Sequence, residues 1–143
     1  MGVIDKIQGK RVYLDTNIFV YIFENYPEYQ AVVDDILVSI TSDSIDCFTN
    51  EITLGELLVS PFKNGQEDIA TRYIKILNDK EFVNLTPAIQ STHIEAARIR
   101  ANSGMKYPDA LHVASALLSG CDVFLTNDKG IKPVEGIELV QLS

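Results

Sequence analysis

Residues 12–15 read Val-Tyr-Leu-Asp, "VYLD", and the architecture of the chain turns on them. Three apolar, largely β-prone residues run directly into a polar trio, Asp15, Thr16 and Asn17, as a short buried strand does where it ends. From Asn17 to Glu24 nearly every position is apolar, which predicts a short buried helix. The same alternation continues outward. Pro27 suits the first turn of a helix through Ile40, with Val32, Val33, Ile36, Leu37 and Ile40 at helical spacing. "DCFTN", Asp46 to Asn50, reads as a second strand, and Glu51 to Ser60 as a helix stopped by Pro61. A helix over Glu67 to Leu77 and a strand over Phe82 to Leu85 follow. Pro87 opens a helix to about Ala101, and Pro108 opens another that Gly120 closes. "DVFLT", Asp122 to Thr126, and "IELVQL", Ile137 to Leu142, complete five strands. Short strands alternating with helices predict a doubly wound α/β/α sandwich, with a five-stranded, mostly parallel sheet in the order 3-2-1-4-5. In such sheets ligands bind beyond the carboxyl ends of the strands, where the winding reverses.

The 143 residues suit one domain spanning the whole chain, and 46% hydrophobic content with 22% charged excludes wholesale disorder. No run reaches the roughly 18 apolar residues that cross a bilayer. Met1 to Gln8 lacks a basic stretch followed by an apolar core, so no leader is expected. Two cysteines, Cys47 and Cys121, make no disulfide framework, and in the expected sheet they lie about 10 Å apart. The expectation is a soluble, cytoplasmic protein. Twenty acidic against twelve basic residues give a net charge of −8, which excludes binding of nucleic acid through bulk charge. An anionic substrate remains compatible if the acids are gathered around a cation.

Acids stand where the fold rule points. Asp15 ends the first strand, Glu56 lies on the helix after the second, Asp128 follows the fourth, and Asp109 begins the helix before it. Strands 2, 1 and 4 would be neighbours about 4.8 Å apart, so these carboxylates share one pocket in the expected fold. Singly, Asp15 also reads as a helix cap, Asp128 as a turn residue and Asp109 as a first-turn carboxylate. Glu56 is expected on an apolar helical face with Ile52 and Val59, where a charge requires a partner. Four clustered carboxylates repel, and a divalent cation relieves that repulsion. Oxygen-only donors favour hard ions such as Mg²⁺ or Mn²⁺. His112, one turn from Asp109, reads first as a structural histidine and second as a partner orienting Asp109. Tyr107, beside Asp109, reads as packing or as the wall of a substrate groove.

No dinucleotide-binding glycine pattern, phosphate-binding loop or hydrolase elbow occurs, and Cys47, His93, His112 and Cys121 lack zinc spacing. "VYLDTNIF", "EITLGELL", "YPDALHVASAL" and "VFLTNDKGI" together resemble the four motif regions of the PIN-domain family, and the length and order are similar to its small VapC-type toxin ribonucleases. The resemblance implies a metal-dependent nuclease acting on RNA and leaving a 5′-phosphate and a 3′-hydroxyl. It assigns the acidic roles to Asp15, Glu56, Asp109 and Asp128, and supporting polar roles to Asn17 and Thr126. It further implies a homodimer and, for toxins, an antitoxin protein that covers the site. Arg98, Arg100, Lys106 and Lys129 are the basic residues near the motifs, open to RNA-backbone contact or to plain solvation.

Other readings stay in view at this stage: a stand-alone RNA-processing nuclease and a non-catalytic assembly module. Receiver-type phosphotransfer domains need two adjacent acids after the first strand, and dehalogenase-type enzymes need an Asp where Asn17 stands.

Overall fold

The computed structural model describes residues 2–143; Met1, the first residue of the stretch read for a leader, lies outside them. Five strands, β1 (Arg11–Leu14), β2 (Asp46–Asn50), β3 (Asn84–Thr86), β4 (Val123–Thr126) and β5 (Glu138–Gln141), form one sheet in the order β3-β2-β1-β4-β5. Every neighbouring pair is parallel, with Leu14 opposite Leu125 and Tyr13 opposite Phe48. The chain therefore winds outward in both directions from β1, as its sequence pattern predicts.

Seven α-helices cover the sheet: α1 (Val3–Ile7), α2 (Thr16–Phe23), α3 (Gln30–Thr41), α4 (Glu51–Lys63), α5 (Glu67–Leu77), α6 (Gln90–Ser103) and α7 (Tyr107–Leu118). Side chains alternate across β1 because a strand repeats every two residues. Val12 and Leu14 enter a core with Ile18, Phe19, Ile36 and Leu77. Tyr13 points the other way, into a core with Phe48, Ile99, Ala110 and Phe124. Burial on both faces explains why "VYL" carries no polar alternation. Ala110, Ala114 and Ala116 of α7 are fully buried, and such small side chains let the helix lie close to the sheet. Cys47 and Cys121 are buried and free, one in each core, so the sheet separates them; burial pushes both thiols up to about 12. No helix among the described residues is long and apolar enough to cross a membrane.

Several boundaries differ from expectation. Helix α4 continues through Pro61 for most of another turn. A helical proline removes one amide donor, but later amides keep theirs: Asn64 N–H donates to the Ser60 carbonyl at 3.0 Å and Gln66 N–H to the Pro61 carbonyl at 2.8 Å. Pro87 does not open α6, which starts three residues later; there the Thr92 hydroxyl accepts from Ile89 N–H. Pro27 starts a short 3-10 turn, Pro27–Tyr29, ahead of α3. The third strand begins at Asn84 rather than Phe82, because Phe82 and Val83 pack into the core from a turn. Helix α1 is an element the sequence pattern did not suggest.

Candidate functional site

The carboxyl edge of the sheet gathers the polar residues of the four motif regions. Asp15 follows the last residue of the central strand, and its backbone N–H still pairs with the Leu125 carbonyl at 3.0 Å, so its position is set by the sheet. Its side chain is 6% exposed. Oδ1 accepts from Thr16 N–H at 2.8 Å, capping α2, while Oδ2 accepts from the Thr126 hydroxyl at 2.7 Å and from Asn17 Nδ2 at 3.2 Å. The cap reading of Asp15 is thus realised, and the same carboxylate also joins the polar network at the ends of β1 and β4. Thr126, at the end of β4, also accepts from Asp128 N–H at 2.9 Å. One buried hydroxyl thereby ties Asp15 to the turn that carries Asp128. Asn17 closes the network, its Oδ1 accepting from Asn127 N–H at 3.0 Å.

Asp128 sits in that turn with Oδ1 accepting from Gly130 N–H at 2.8 Å. Asp109 lies in the first turn of α7. A methyl group at Gly130 would stand 3.1 Å from Asp128 Oδ1 and 3.6 Å from Asp109 Oδ2, so only the missing Cβ keeps this approach open. The space beside them, about 370 Å³, is also lined by Lys106 and Lys132. Burial raises the Asp109 carboxyl above the ordinary carboxylate value; Asp128, Asp15 and, more weakly, Glu56 add to this, while His112 opposes it.

Glu56 reaches the site by a route other than the one its sequence context suggests. Val59 is 62% exposed and the Glu56 side chain 40% exposed, so no buried apolar face surrounds it. Instead Glu56 Oε1 accepts from the Thr16 hydroxyl at 2.7 Å and lies 2.8 Å from His112 Nε2. Burial pushes its carboxyl up, but the hydrogen bonds from His112 and Thr16 outweigh burial and hold it below the ordinary value. His112 is buried, contacts Glu56 rather than Asp109, and lies 3.7 Å from Asp15 Oδ1. Its Nδ1 is 2.7 Å from the hydroxyl of Tyr13, a phenol that burial pushes well above its ordinary value. Thr16, Tyr13 and Lys132 escaped sequence reasoning. Thr16 had a signal, as a hydroxyl adjacent to the strand-end acid; Tyr13 read simply as core.

The acids gather along the carboxyl edge without meeting at a point: Asp109 and Asp128 line one space, Glu56 opens on a neighbouring groove, and among the described residues no three His, Cys, Asp or Glu side chains are placed to hold one ion directly. None of the four carboxylates pairs with a lysine or arginine among the described residues; His112 is the only basic side chain in ion-pair range. An all-oxygen set offering one or two carboxylates at a time suits a small divalent ion that keeps much of its water shell, as Mg²⁺ does. Asp109 and Asp128, facing across Gly130, are the residues best placed to hold it.

Of the basic candidates, Arg98 pairs with Glu95, Arg100 donates to the Met105 carbonyl and Lys129 to the Ser143 carbonyl. Lys106 alone of the four lines the cleft. His93, read as a surface residue, is exposed and bonds the Tyr107 hydroxyl at 2.6 Å. A cavity of about 640 Å³ lies at the opposite edge of the sheet, near the starts of β2 and β3, away from all these residues.

No curated protein matches the sequence. Among solved structures, the toxin–antitoxin complex from Klebsiella pneumoniae contains a chain 21% identical, with TM-score 0.65, over 92% of this chain and 98% of that one. VapBC2 from Rickettsia felis, bound to a DNA fragment from their promoter, matches at TM-score 0.71 and 15% identity over 92% and 98%. DNA-bound VapBC from Salmonella typhimurium matches at TM-score 0.68 and 20% identity over 94% and 99%. At these identities the likeness is one of fold. The sequence model of the PIN domain matches residues 12–137, from the central strand to the residue before β5. Since that span takes in Asp15, Glu56, Asp109 and Asp128 and nearly the whole sheet, the chain belongs to the PIN-domain family.

Proposed function

We propose that this chain is a metal-dependent ribonuclease that hydrolyses RNA phosphodiester bonds with Mg²⁺ or Mn²⁺, and that it acts as the toxin of a toxin–antitoxin pair. The observation that supports the reading is four carboxylates near enough at the carboxyl edge of the sheet for Asp128, Asp15 and Glu56 all to act on Asp109, with no lysine or arginine partner among the described residues. Asp109, Asp128 and Asp15 would hold the cation through carboxylate oxygens and waters. Such an ion, when bound, offsets charge on the phosphate and acidifies water. Asp15 is held in place by Thr126, Asn17 and Thr16 N–H. Glu56 has one oxygen anchored by Thr16 and His112, and its other oxygen takes the proton of the attacking water. Attack on phosphorus with departure of the 3′ oxygen leaves a 5′-phosphate and a 3′-hydroxyl. Lys106, beside Asp109 and Asp128, is the side chain placed to meet a flanking phosphate, with Lys132 near it but donating to the Ser103 carbonyl at 2.9 Å.

The test is cleavage of single-stranded and structured RNAs by purified protein with Mn²⁺ or Mg²⁺. Activity that disappears with chelator and returns with the metal supports the reading, and activity indifferent to chelator overturns its metal dependence. For the toxin role, expression of the chain should arrest growth, and expression of Asp15→Asn should not.

Thr126→Val provides a finer check. Valine keeps the shape but removes the donor to Asp15 and the acceptor for Asp128 N–H. A buried unpaired amide costs about 1–3 kcal/mol, so the melting temperature should fall by several degrees. Cleavage should fall about tenfold, as loss of a group orienting a ligand does.

The partner proposals follow the same reading. A groove of about 320 Å³ runs from Glu56 between α2, α4 and α5, lined by Val20, Phe23, Leu57 and Tyr73, and Val59 and Phe62 stand exposed on α4. We assign the antitoxin to this surface, where it would cover Glu56; the toxin–antitoxin complexes of similar fold support such a partner, and the exposed apolar groove is the reason for placing it here. A homodimer, expected to use α3 and α5, has exposed Val38 and Ile74 available there. Light scattering on the isolated chain should give about twice its 15.9 kDa mass, and a strict monomer would refute the dimer.

A further inference from the structure

We infer that His112 is a positioning residue for Glu56: the Tyr13 phenol fixes the ring with its proton on Nε2, and that N–H anchors one oxygen of the Glu56 carboxylate at the edge of the acidic cleft. The activity part of this inference rests on the ribonuclease reading; the tautomer part does not.

For a neutral imidazole the direction of each hydrogen bond follows from counting protons. Tyr13 Oη accepts from Asn50 N–H at 3.2 Å, a donor that cannot be reversed. The phenol's single proton is then available for His112 Nδ1 at 2.7 Å. A neutral imidazole that accepts at Nδ1 carries its proton on Nε2. That N–H meets Glu56 Oε1 at 2.8 Å, whereas Asp15 Oδ1 at 3.7 Å is outside hydrogen-bond reach and Thr16 Oγ1 at 3.3 Å is longer. The Thr16 hydroxyl donates to the same Oε1 at 2.7 Å. Two donors therefore converge on one carboxylate oxygen, and Oε2 has no protein partner among the described residues.

The anchor is rigid where Glu56 is not. Tyr13 is fully buried on the central strand and stacks on Phe124 of β4, with centroids 5.1 Å apart and planes 10° apart. His112 sits on the buried face of α7, edge-on to Tyr13. Glu56 by contrast is on an open stretch of α4, where a free glutamate samples many rotamers. The pair thus connects the sheet centre and α7 to a side chain on α4 and restricts it to the geometry in which Oε2 is free.

The chain has two histidines, so His93→Gln leaves a single ring to observe. In ¹⁵N long-range spectra of that variant, without metal or RNA, the neutral His112 ring should carry its proton on Nε2. A neutral ring protonated at Nδ1, or an average of tautomers, would overturn the assignment. Adding Tyr13→Phe should release the lock and move both ring nitrogens toward averaged shifts; an unmoved spectrum also overturns it. In cleavage assays, Tyr13→Phe and His112→Gln should lower kcat about tenfold with KM little changed, and His112→Ala about 100-fold. The Gln amide can place an N–H where Nε2–H stood, so Gln should exceed Ala; equal loss in both, at matching melting temperatures, means that the ring merely fills space and the inference fails. The expected spectra with no RNA cleavage by the unmutated protein would leave the tautomer assignment standing and overturn the ribonuclease reading.

Discussion

Asp15→Asn is expected to lower cleavage of single-stranded RNA by at least about 100-fold, because it removes the charge from the one acid fixed by the central strand. The network around Asp15 sharpens what else should happen. Every group facing the carboxylate is a donor: Thr16 N–H to Oδ1, the Thr126 hydroxyl and Asn17 Nδ2 to Oδ2. An asparagine must turn its own NH₂ toward one of them. If it replaces Oδ1, the α2 cap is lost; if it replaces Oδ2, it meets the Asn17 amide. Relief of repulsion among the acids works in the other direction, but a buried donor facing a donor costs about 1–3 kcal/mol. The variant should therefore fold with a melting temperature several degrees lower, seen by circular dichroism. Cleavage retained by a folded Asp15→Asn protein, with contaminating ribonuclease excluded, would place the activity elsewhere. Thr126 supplies the comparison, because Thr126→Val weakens the same carboxylate's placement while leaving its charge. If activity followed stability alone, the two variants would lose similar amounts; a tenfold gap or more assigns the difference to charge.

The sheet order was legible because it follows from alternation and turn chemistry, which are local properties of sequence. "VYL" carries no polar position, and the fold uses it in the central strand, with two strands on either side. Element ends were less legible. Pro61 reads as a stop, yet tertiary packing of its buried ring holds the helix through it. The ends of β1 and β4 were read to within a residue, so Asp15 and Asp128 could be placed at the carboxyl edge of the sheet from sequence. Glu56 was reached by the wrong reasoning: an apolar neighbour at i+3, Val59, suggested burial, and Val59 faces solvent. Its place depends on Thr16 and His112, 40 and 56 residues away in sequence. Contacts of that range leave no periodic trace in one sequence, and the same holds for the Tyr13–His112 pair, whose members each read as ordinary core or structural residues.

Adding Mg²⁺ or Mn²⁺ to metal-free protein should raise its melting temperature, and the rise should depend on pH in a direction set by Asp109. Its carboxyl is raised above the ordinary value by burial and by Asp128, Asp15 and Glu56, so the folded chain holds that proton more tightly than the unfolded one. The stability this group contributes is complete below the ordinary carboxylate value and is lost as pH rises through the raised one. Glu56 has the opposite sign: its lowered carboxyl stabilises the fold above the ordinary value and loses that effect as pH falls through the lowered one. Both groups are partly exposed, so solvent screens the share of each. Protons and cation then compete for the same oxygens. At a metal concentration about 100 times the dissociation constant, binding adds about 2.7 kcal/mol, or roughly 10 °C for a chain of this size. The shift should be near that value well above the raised Asp109 value and should shrink as pH falls through it. Asp109→Asn separates the two causes. It removes the group that both repels its neighbours and binds the ion, so the metal-free variant should melt higher than the parent at neutral pH and respond less to Mn²⁺. A parent protein that gains nothing from millimolar Mn²⁺ at neutral pH, or gains equally in acid, would remove the cation from this cleft.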